Sequence, residues 1–413
     1  MKRIITLITM AGYFLSSFLP TMGQVTTLAT KQSPRENIDI PDQYSALYHE
    51  LDESLREANQ RYPVTKGISC PLVAPELFMA GSGFGTAAPG SQRWNDLLAI
   101  LDAFRAMGIN AVSVMIASPD LTFSDSVALI GFYQGLANEI HSRNMKLYIE
   151  YFDNPPFSPH AHKGWQDTPD GKKDFLKMKE KELTMIYREI KPDFLSLITE
   201  PGTMIRWSHL SFSATELANW VGEVTLRMKS TGESHNTLLG AGAGTWETDD
   251  FIIKFAQQAN LDYVDIHLYA LNTSVNDNAA RLDTLVRKVR EIRPGIMVTI
   301  GETWLYKHGI EESKTIYAEA FFRDNFSFWS PLDQQFLKLL VGIAQKENIS
   351  VLAPYFSQYF FTYYTFGDPE CSKLPQWPAS VPVSWNKAIE SIRNHQVSAT
   401  GKVMSSLLDQ SCQ

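Results

Sequence analysis

Two apolar runs in the sequence each finish on a glutamate: Phe194-Leu195-Ser196-Leu197-Ile198-Thr199-Glu200 and Met297-Val298-Thr299-Ile300-Gly301-Glu302. Runs of this length and character read as buried strands, and a charged side chain at the end of one is seldom left without a partner. Two carboxylates at matching strand ends suit acid/base chemistry. One can hold a proton while the other stays ionised, because like charges brought together push their titrations apart. The plainer reading of Glu200 and Glu302 is that they are ion-pair or helix-capping residues.

The elements that would position them alternate along most of the chain. Further strand-like runs fall at about Leu77 to Gly83, Ala111 to Ala117, Lys146 to Asp153, Leu238 to Gly244, Tyr263 to Tyr269 and Ser350 to Ser357. With Phe194 to Glu200 and Met297 to Trp304 they make eight. Amphipathic stretches lie between them, among them Trp94 to Met107, Ser126 to Arg143, Leu176 to Ile190 and Asn278 to Ile292, with Trp385 to His395 as the last helix. Continuous apolar strands alternating with amphipathic helices predict a parallel sheet covered by helices. Eight repeats predict closure into a single (β/α)8 TIM barrel with extended loops after the strands, whose active site sits at the strands' C-terminal ends. Met107-Gly108-Ile109 and Arg293-Pro294-Gly295 are the stops expected where helices turn back into strands. An open doubly wound sheet would usually carry a phosphate loop, and Gly81-Ser82-Gly83-Phe84-Gly85 lacks the lysine and spacing of one.

The chain has 413 residues, 44% of them hydrophobic, enough for one large barrel. A net charge of -8 without a basic run gives no reason to expect a nucleic-acid partner or an anionic membrane. Lys2 and Arg3, the apolar stretch Ile4 to Leu19 and the small or polar residues near Gly23 and Gln24 read as a cleavable export signal over residues 1–24. That stretch is short for a membrane span. Residues 25–68 read as a polar lead-in with one helix, Tyr44 to Gln60, and residues 69–413 as the barrel. The protein is therefore expected to be exported, with no stable membrane insertion and an unknown oligomeric state. Cys70, Cys371 and Cys412 allow at most one internal disulfide.

The pair also carries a family resemblance. Thr199-Glu200-Pro201 resembles the Asn-Glu-Pro that ends strand four in the retaining glycoside hydrolases of clan A, a (β/α)8 superfamily. Ile300-Gly301-Glu302-Thr303-Trp304 is similar to the clan's strand-seven nucleophile motif, and His267-Leu268-Tyr269 to its strand-six His-x-Tyr. Within the clan there are faint similarities to family 53 endo-β-1,4-galactanases and family 5 enzymes. The resemblance implies Glu200 as acid/base, Glu302 as nucleophile and Tyr269 as the residue orienting Glu302. Thr199 departs from the clan's asparagine, and the usual strand-two arginine is not visible.

The expected reaction is hydrolysis of β-glycosidic bonds with retention, which needs carboxyl groups about 5 Å apart. Candidate substrate contacts are Thr199, His267 and Trp304; Tyr151, Asp153, Asn154 and Trp165 around the third loop; Trp207 and Trp246; and Tyr355 with Gln358 at the last strand. Aromatic planes beside polar groups suit a sugar ring. His160-Ala161-His162 lacks a third ligand, so no metal is expected, and no cofactor. The partner is a carbohydrate substrate, cut internally by preference. The rival readings are an exo-acting glycosidase on a small glycoside, and a carbohydrate-binding barrel without turnover.

Overall fold

The computed structural model describes residues 39–68, 70–122, 126–153, 165–231, 236–271, 273–310, 312, 317–376 and 379–411. The export segment, Asn154, His160 and His162 lie outside the described residues. Eight parallel strands follow one another around a barrel: β1 Leu72–Val73, β2 Ala111–Ala117, β3 Lys146–Phe152, β4 Phe194–Ser196, β5 Leu238–Gly244, β6 Tyr263–Leu268, β7 Met297–Thr303 and β8 Val351–Pro354. β8 pairs with β1. The barrel closes where Glu76, just past β1, bridges Ser113 of β2, with Leu77 N donating to Ser113 O at 2.8 Å and Ser113 N to Pro75 O at 3.1 Å. The fold is a single (β/α)8 barrel.

Twelve α-helices surround it: α1 Asp42–Arg61, α2 Gln92–Ala106, α3 Ser126–Ser142, α4 Pro169–Met185, α5 Pro201–Ser208, α6 Ala214–Ser230, α7 Asp249–Ala256, α8 Val275–Ile292, α9 Tyr317–Arg323, α10 Ser330–Lys346, α11 Ser380–Arg393 and α12 Ala399–Ser411, counted among the described residues. On α2, Leu97, Ile100, Leu101 and Phe104 recur at helical spacing and are fully buried. Each such side chain contributes about 1.5–3 kcal/mol through burial. Ser213 and Glu216 form a capping box at the start of α6, and Gly108 and Gly295 take the left-handed conformation (φ 84° at each) that ends a helix.

Three expectations shift. The first strand is not Leu77 to Gly83. β1 lies at Leu72–Val73, and Phe78–Ala80 and Ser82–Phe84 coil into single 3₁₀ turns above it. Trp385 to His395 is not the last helix, because α12 follows. The lead-in helix is part of the wall. α1 packs on α8 and α10, with Asn59 donating to Gln335 O at 3.1 Å and Tyr62 OH to Ala279 O at 3.2 Å. Cys70 is disulfide-bonded and Cys371 is a free thiol. Among the described residues no helix is long and apolar enough to cross a membrane.

Candidate active site

Side chains of alternate strand residues fill the barrel, and here the filling is polar. In the lower interior Ser196 Oγ lies 2.8 Å from Tyr148 OH and 3.0 Å from Tyr263 OH, and donates to Asp265 at 3.2 Å. Thr299 donates to the other Asp265 oxygen at 2.7 Å. Above this layer His267 of β6 sits among carboxylates. Its Nδ1 is 3.0 Å from Glu200 Oε1, and its Nε2 is 3.2 Å from Glu150 Oε2 and 3.6 Å from Asp265 Oδ2. Burial opposes charge on the ring, but the neighbouring Asp265, Glu150 and Glu200 carboxylates outweigh it and hold its pKa well above the usual histidine value. His267 thus joins β3, β4 and β6, with its charged form favoured.

Glu302 reaches this point through an irregularity. Asp265 pairs with Thr299, but His267 pairs with Glu302, so β7 carries one extra residue and bulges. A bulge re-aims a side chain. Gly301 is required in it, since a Cβ there would lie 2.5 Å from the Asp265 carboxylate oxygens. Tyr269 OH donates to Glu302 Oε1 at 2.6 Å. Glu302, Glu150 and His267 each bring a polar atom within 4.8 Å of the others. Burial pushes the Glu302 carboxyl well above the ordinary range; His267 draws it down, the charges of Glu150 and Glu200 push it up, and the Tyr269 hydrogen bond draws it down. A substrate-free Glu302 therefore holds a proton more firmly than an ordinary carboxyl. That runs against a division of labour in which like-charge repulsion alone leaves Glu302 ionised.

Glu200 follows β4 and stands at the N-cap of α5, but its side chain makes no capping bond and turns to His267 instead. Glu200 and Glu302 thus flank one imidazole, near enough for the charge of one to act on the other. Ser113 Oγ donates to Glu150 at 2.8 Å, and Met115 N to Glu76 at 3.1 Å. Burial, with the charge of Glu150, lifts Glu76 to about 8. Glu150, His267 and Glu302 could together ligate a metal ion by distance alone. Both nitrogens of His267 face carboxylates, which favours the charged ring over a ligating one.

The remaining sequence candidates divide. Trp246, half-buried, packs on Tyr269 at 5.8 Å between ring centroids, and Tyr269 stacks on Tyr306 at 4.6 Å. Tyr355 meets Phe78 at 5.7 Å, and the charge of Glu302 acts on its hydroxyl. Thr199 is buried, and its hydroxyl has no hydrogen-bond partner among the described residues. Trp207 is exposed on α5 beside Arg206. Trp304 is not an open stacking plane: it is 1% exposed and packs on Phe356 and Tyr359. Gln358 is equally buried, in the turn after β8, and Trp165 packs on Phe175. Tyr151 and Asp153 do not belong to the pocket. Alternation along β3 turns Glu150 inward and Tyr151 outward, where Tyr151 donates to Glu182 of α4 and Asp153 pairs with Lys179 at 2.6 Å. The residues missed by sequence reasoning are Glu76, Glu150 and Glu247 with the aromatic Tyr306. Glu150 carried a readable signal, a charge inside an apolar run, of the kind that singled out Glu200.

No protein-family model matches the chain, and no curated protein matches it. Among solved structures it is similar to a GH5_18 protein from Bifidobacterium longum subsp. longum, with 12% identity over 83% of this chain and 79% of that one and a TM-score of 0.51. A family 5 mannosidase from Rhizomucor miehei gives 13% identity over 83% and 96%, TM-score 0.48. A GH5-4 broad-specificity endoglucanase from Clostridium acetobutylicum gives 15% over 76% and 97%, TM-score 0.46. Likeness at these identities shows the barrel fold alone.

Proposed function

We propose that the protein is a retaining glycoside hydrolase that cuts β-glycosidic bonds of an oligo- or polysaccharide, internally by preference, by double displacement. The observation that carries this reading is the meeting of Glu200, past β4, and Glu302, on β7, about the one imidazole of His267. Glu200 protonates the leaving oxygen while a Glu302 oxygen bonds to the anomeric carbon. The leaving group departs as an alcohol, and a glycosyl ester remains on Glu302. Glu200, now a carboxylate, takes a proton from water, which attacks the anomeric carbon and releases Glu302. The reacting form carries the proton on Glu200 with Glu302 ionised; a proton on Glu302 passes to solvent before attack, a loss that the His267 charge and the Tyr269 hydrogen bond favour. Tyr269 steadies the ionised form. Trp246, Tyr306 and Tyr355 supply apolar faces near Glu302 for the ring. Export after loss of residues 1–24 goes with a polysaccharide substrate.

The raised pKa of Glu302 specifically favours one other arrangement, with the two roles exchanged. Incubating the purified protein with plant, algal and microbial glycans tests the reaction class. Hydrolysis is expected; its absence across the panel leaves a carbohydrate-binding barrel. Azide rescue then separates the roles. Glu302→Ala is expected to give an α-glycosyl azide and Glu200→Ala a β-glycosyl azide, and exchanged roles give the reverse.

A further inference from the structure

A third carboxylate touches the turn that carries Glu200. Glu247, in the turn after β5, accepts from Gly244 N at 2.7 Å with one oxygen and from Gly202 N with the other. Gly202 is the second residue of α5, whose first turn leaves backbone N–H groups without helical partners. A side chain at the N-cap ordinarily satisfies them. Glu200 holds that position and does not. A Cβ on Gly202 would come within 2.4 Å of Glu247 Oε1, so the pairing of glycine and carboxylate is specific. The Glu247 turn is itself fixed by Arg281 of α8, whose Nη2 donates to Glu247 O at 2.8 Å and pairs with Asp249 at 2.8 Å.

We infer that Glu247 is a positioning residue for the proton donor: it caps α5 in place of Glu200, leaving the Glu200 carboxyl free to face the pocket, and sets a negative charge beside it. This rests on the reading of Glu200 as the general acid. Burial and the charge of Glu200 lift Glu247 to about 7 against the pull of the Gly244 and Gly202 N–H groups and of His267. The two carboxyls are thus close enough for the charge of Glu200 to act on Glu247. The groups facing the pair are His267 from β6, Glu302 from β7 and, at the main chain of the turn, Arg281 from α8.

The test uses the full chain and two glycosides of one sugar, a dinitrophenyl glycoside that needs no proton to leave and an alkyl glycoside that does. Glu247→Gln is expected to lose about 10-fold or more in kcat/KM on the alkyl glycoside and under about 2-fold on the dinitrophenyl one, because only the first needs a positioned proton donor. Gly202→Ala, which forces Glu247 away from the helix, is expected to show the same selective loss and serves if the Gln variant does not fold. Equal losses on both substrates overturn the proposal. A measurement independent of turnover is the carboxyl ¹³C titration of Glu247. Its midpoint is expected near 7 and to fall in Glu200→Gln. No fall means that the two charges do not interact, and the proposal is wrong. A wild-type protein that cleaves neither glycoside counts against the hydrolase reading, while the titration still decides the coupling.

Discussion

Two buried carboxylate clusters in this molecule each gather about one cation and differ in what they face. Behind the mouth, Lys307 lies 2.7 Å from Asp324 and 2.5 Å from Asp333, Tyr363 donates to Asp333 at 3.0 Å, and the three charged groups are fully enclosed. Burial lowers the Lys307 pKa, yet the two aspartates outweigh it and the net shift is upward. The ammonium is held charged. In the barrel mouth Glu76, Glu150, Asp265, Glu200 and Glu302 surround a single cationic side chain, His267. Both clusters have more acids than cations, two to one around Lys307 and five to one around His267, and burial lifts Asp324 to about 7 and raises Asp333 as it raises Glu76, Glu150 and Glu302. The difference lies in access: the Lys307 set is sealed at 0% exposure, whereas Glu200 keeps 10% of its side chain open. An enclosed set holds the fold, and a set open to solvent can pass a proton.

That contrast can be broken by mutation. The largest effect belongs to the mouth: Glu302→Ala is expected to cost at least about 10⁴-fold in kcat on any cleaved glycan, with the melting temperature unchanged or raised. A loss under about tenfold removes Glu302 from the chemistry. Next comes the enclosed cluster, where Lys307→Met leaves two buried acids without a cation; denaturant titration is expected to show a loss of about 3–5 kcal/mol. A stable variant contradicts the structural role given to Lys307.

The third effect depends on pH. The folded pKa of Glu76, about 8, lies above its unfolded value, so the stability it contributes is fully present below the unfolded pKa and is lost as pH rises through about 8. Glu76→Gln is expected to flatten the stability curve across that window, gaining a few kcal/mol on the wild type at its upper end. Curves that stay parallel exclude a protonated Glu76. The smallest effect is Tyr269→Phe, which removes the hydrogen bond that lowers the Glu302 pKa. About a 10-fold loss in kcat is expected, with the acid limb of kcat/KM moved to higher pH. A limb moving the other way denies Tyr269 that part.

The strand positions of the barrel are largely readable from sequence, and its two faces only in part. β2 and β5 lie at the bounds expected from their apolar runs, and Glu302 lies in β7, but β4 keeps only Phe194–Ser196 of its run and leaves Glu200 past its end, at the N-cap of α5. The barrel interior is polar, so period two is written in β6, where Tyr263, Asp265 and His267 alternate with Val264, Ile266 and Leu268. In Lys146 to Asp153 the charge of Glu150 marked the face toward His267, while the aromatic Tyr151 beside it, which faces α4, fits a sugar site equally well by residue type. β1 was displaced because Pro75 interrupts a short strand while Leu77 to Ala80 offers the more apolar run, which coils into a 3₁₀ turn. The bulge that aims Glu302 depends on pairing with β6, and the contact of Glu247 with Gly202 joins residues 45 apart. Neither is a property of a local run.

The most direct test is the configuration of the first-formed product, followed by proton NMR on whichever glycan is cleaved. Retention of the β anomer at the earliest time points, before mutarotation, is the result expected of Glu200 and Glu302 acting in turn. An α product at those times contradicts attack by a carboxylate on the sugar.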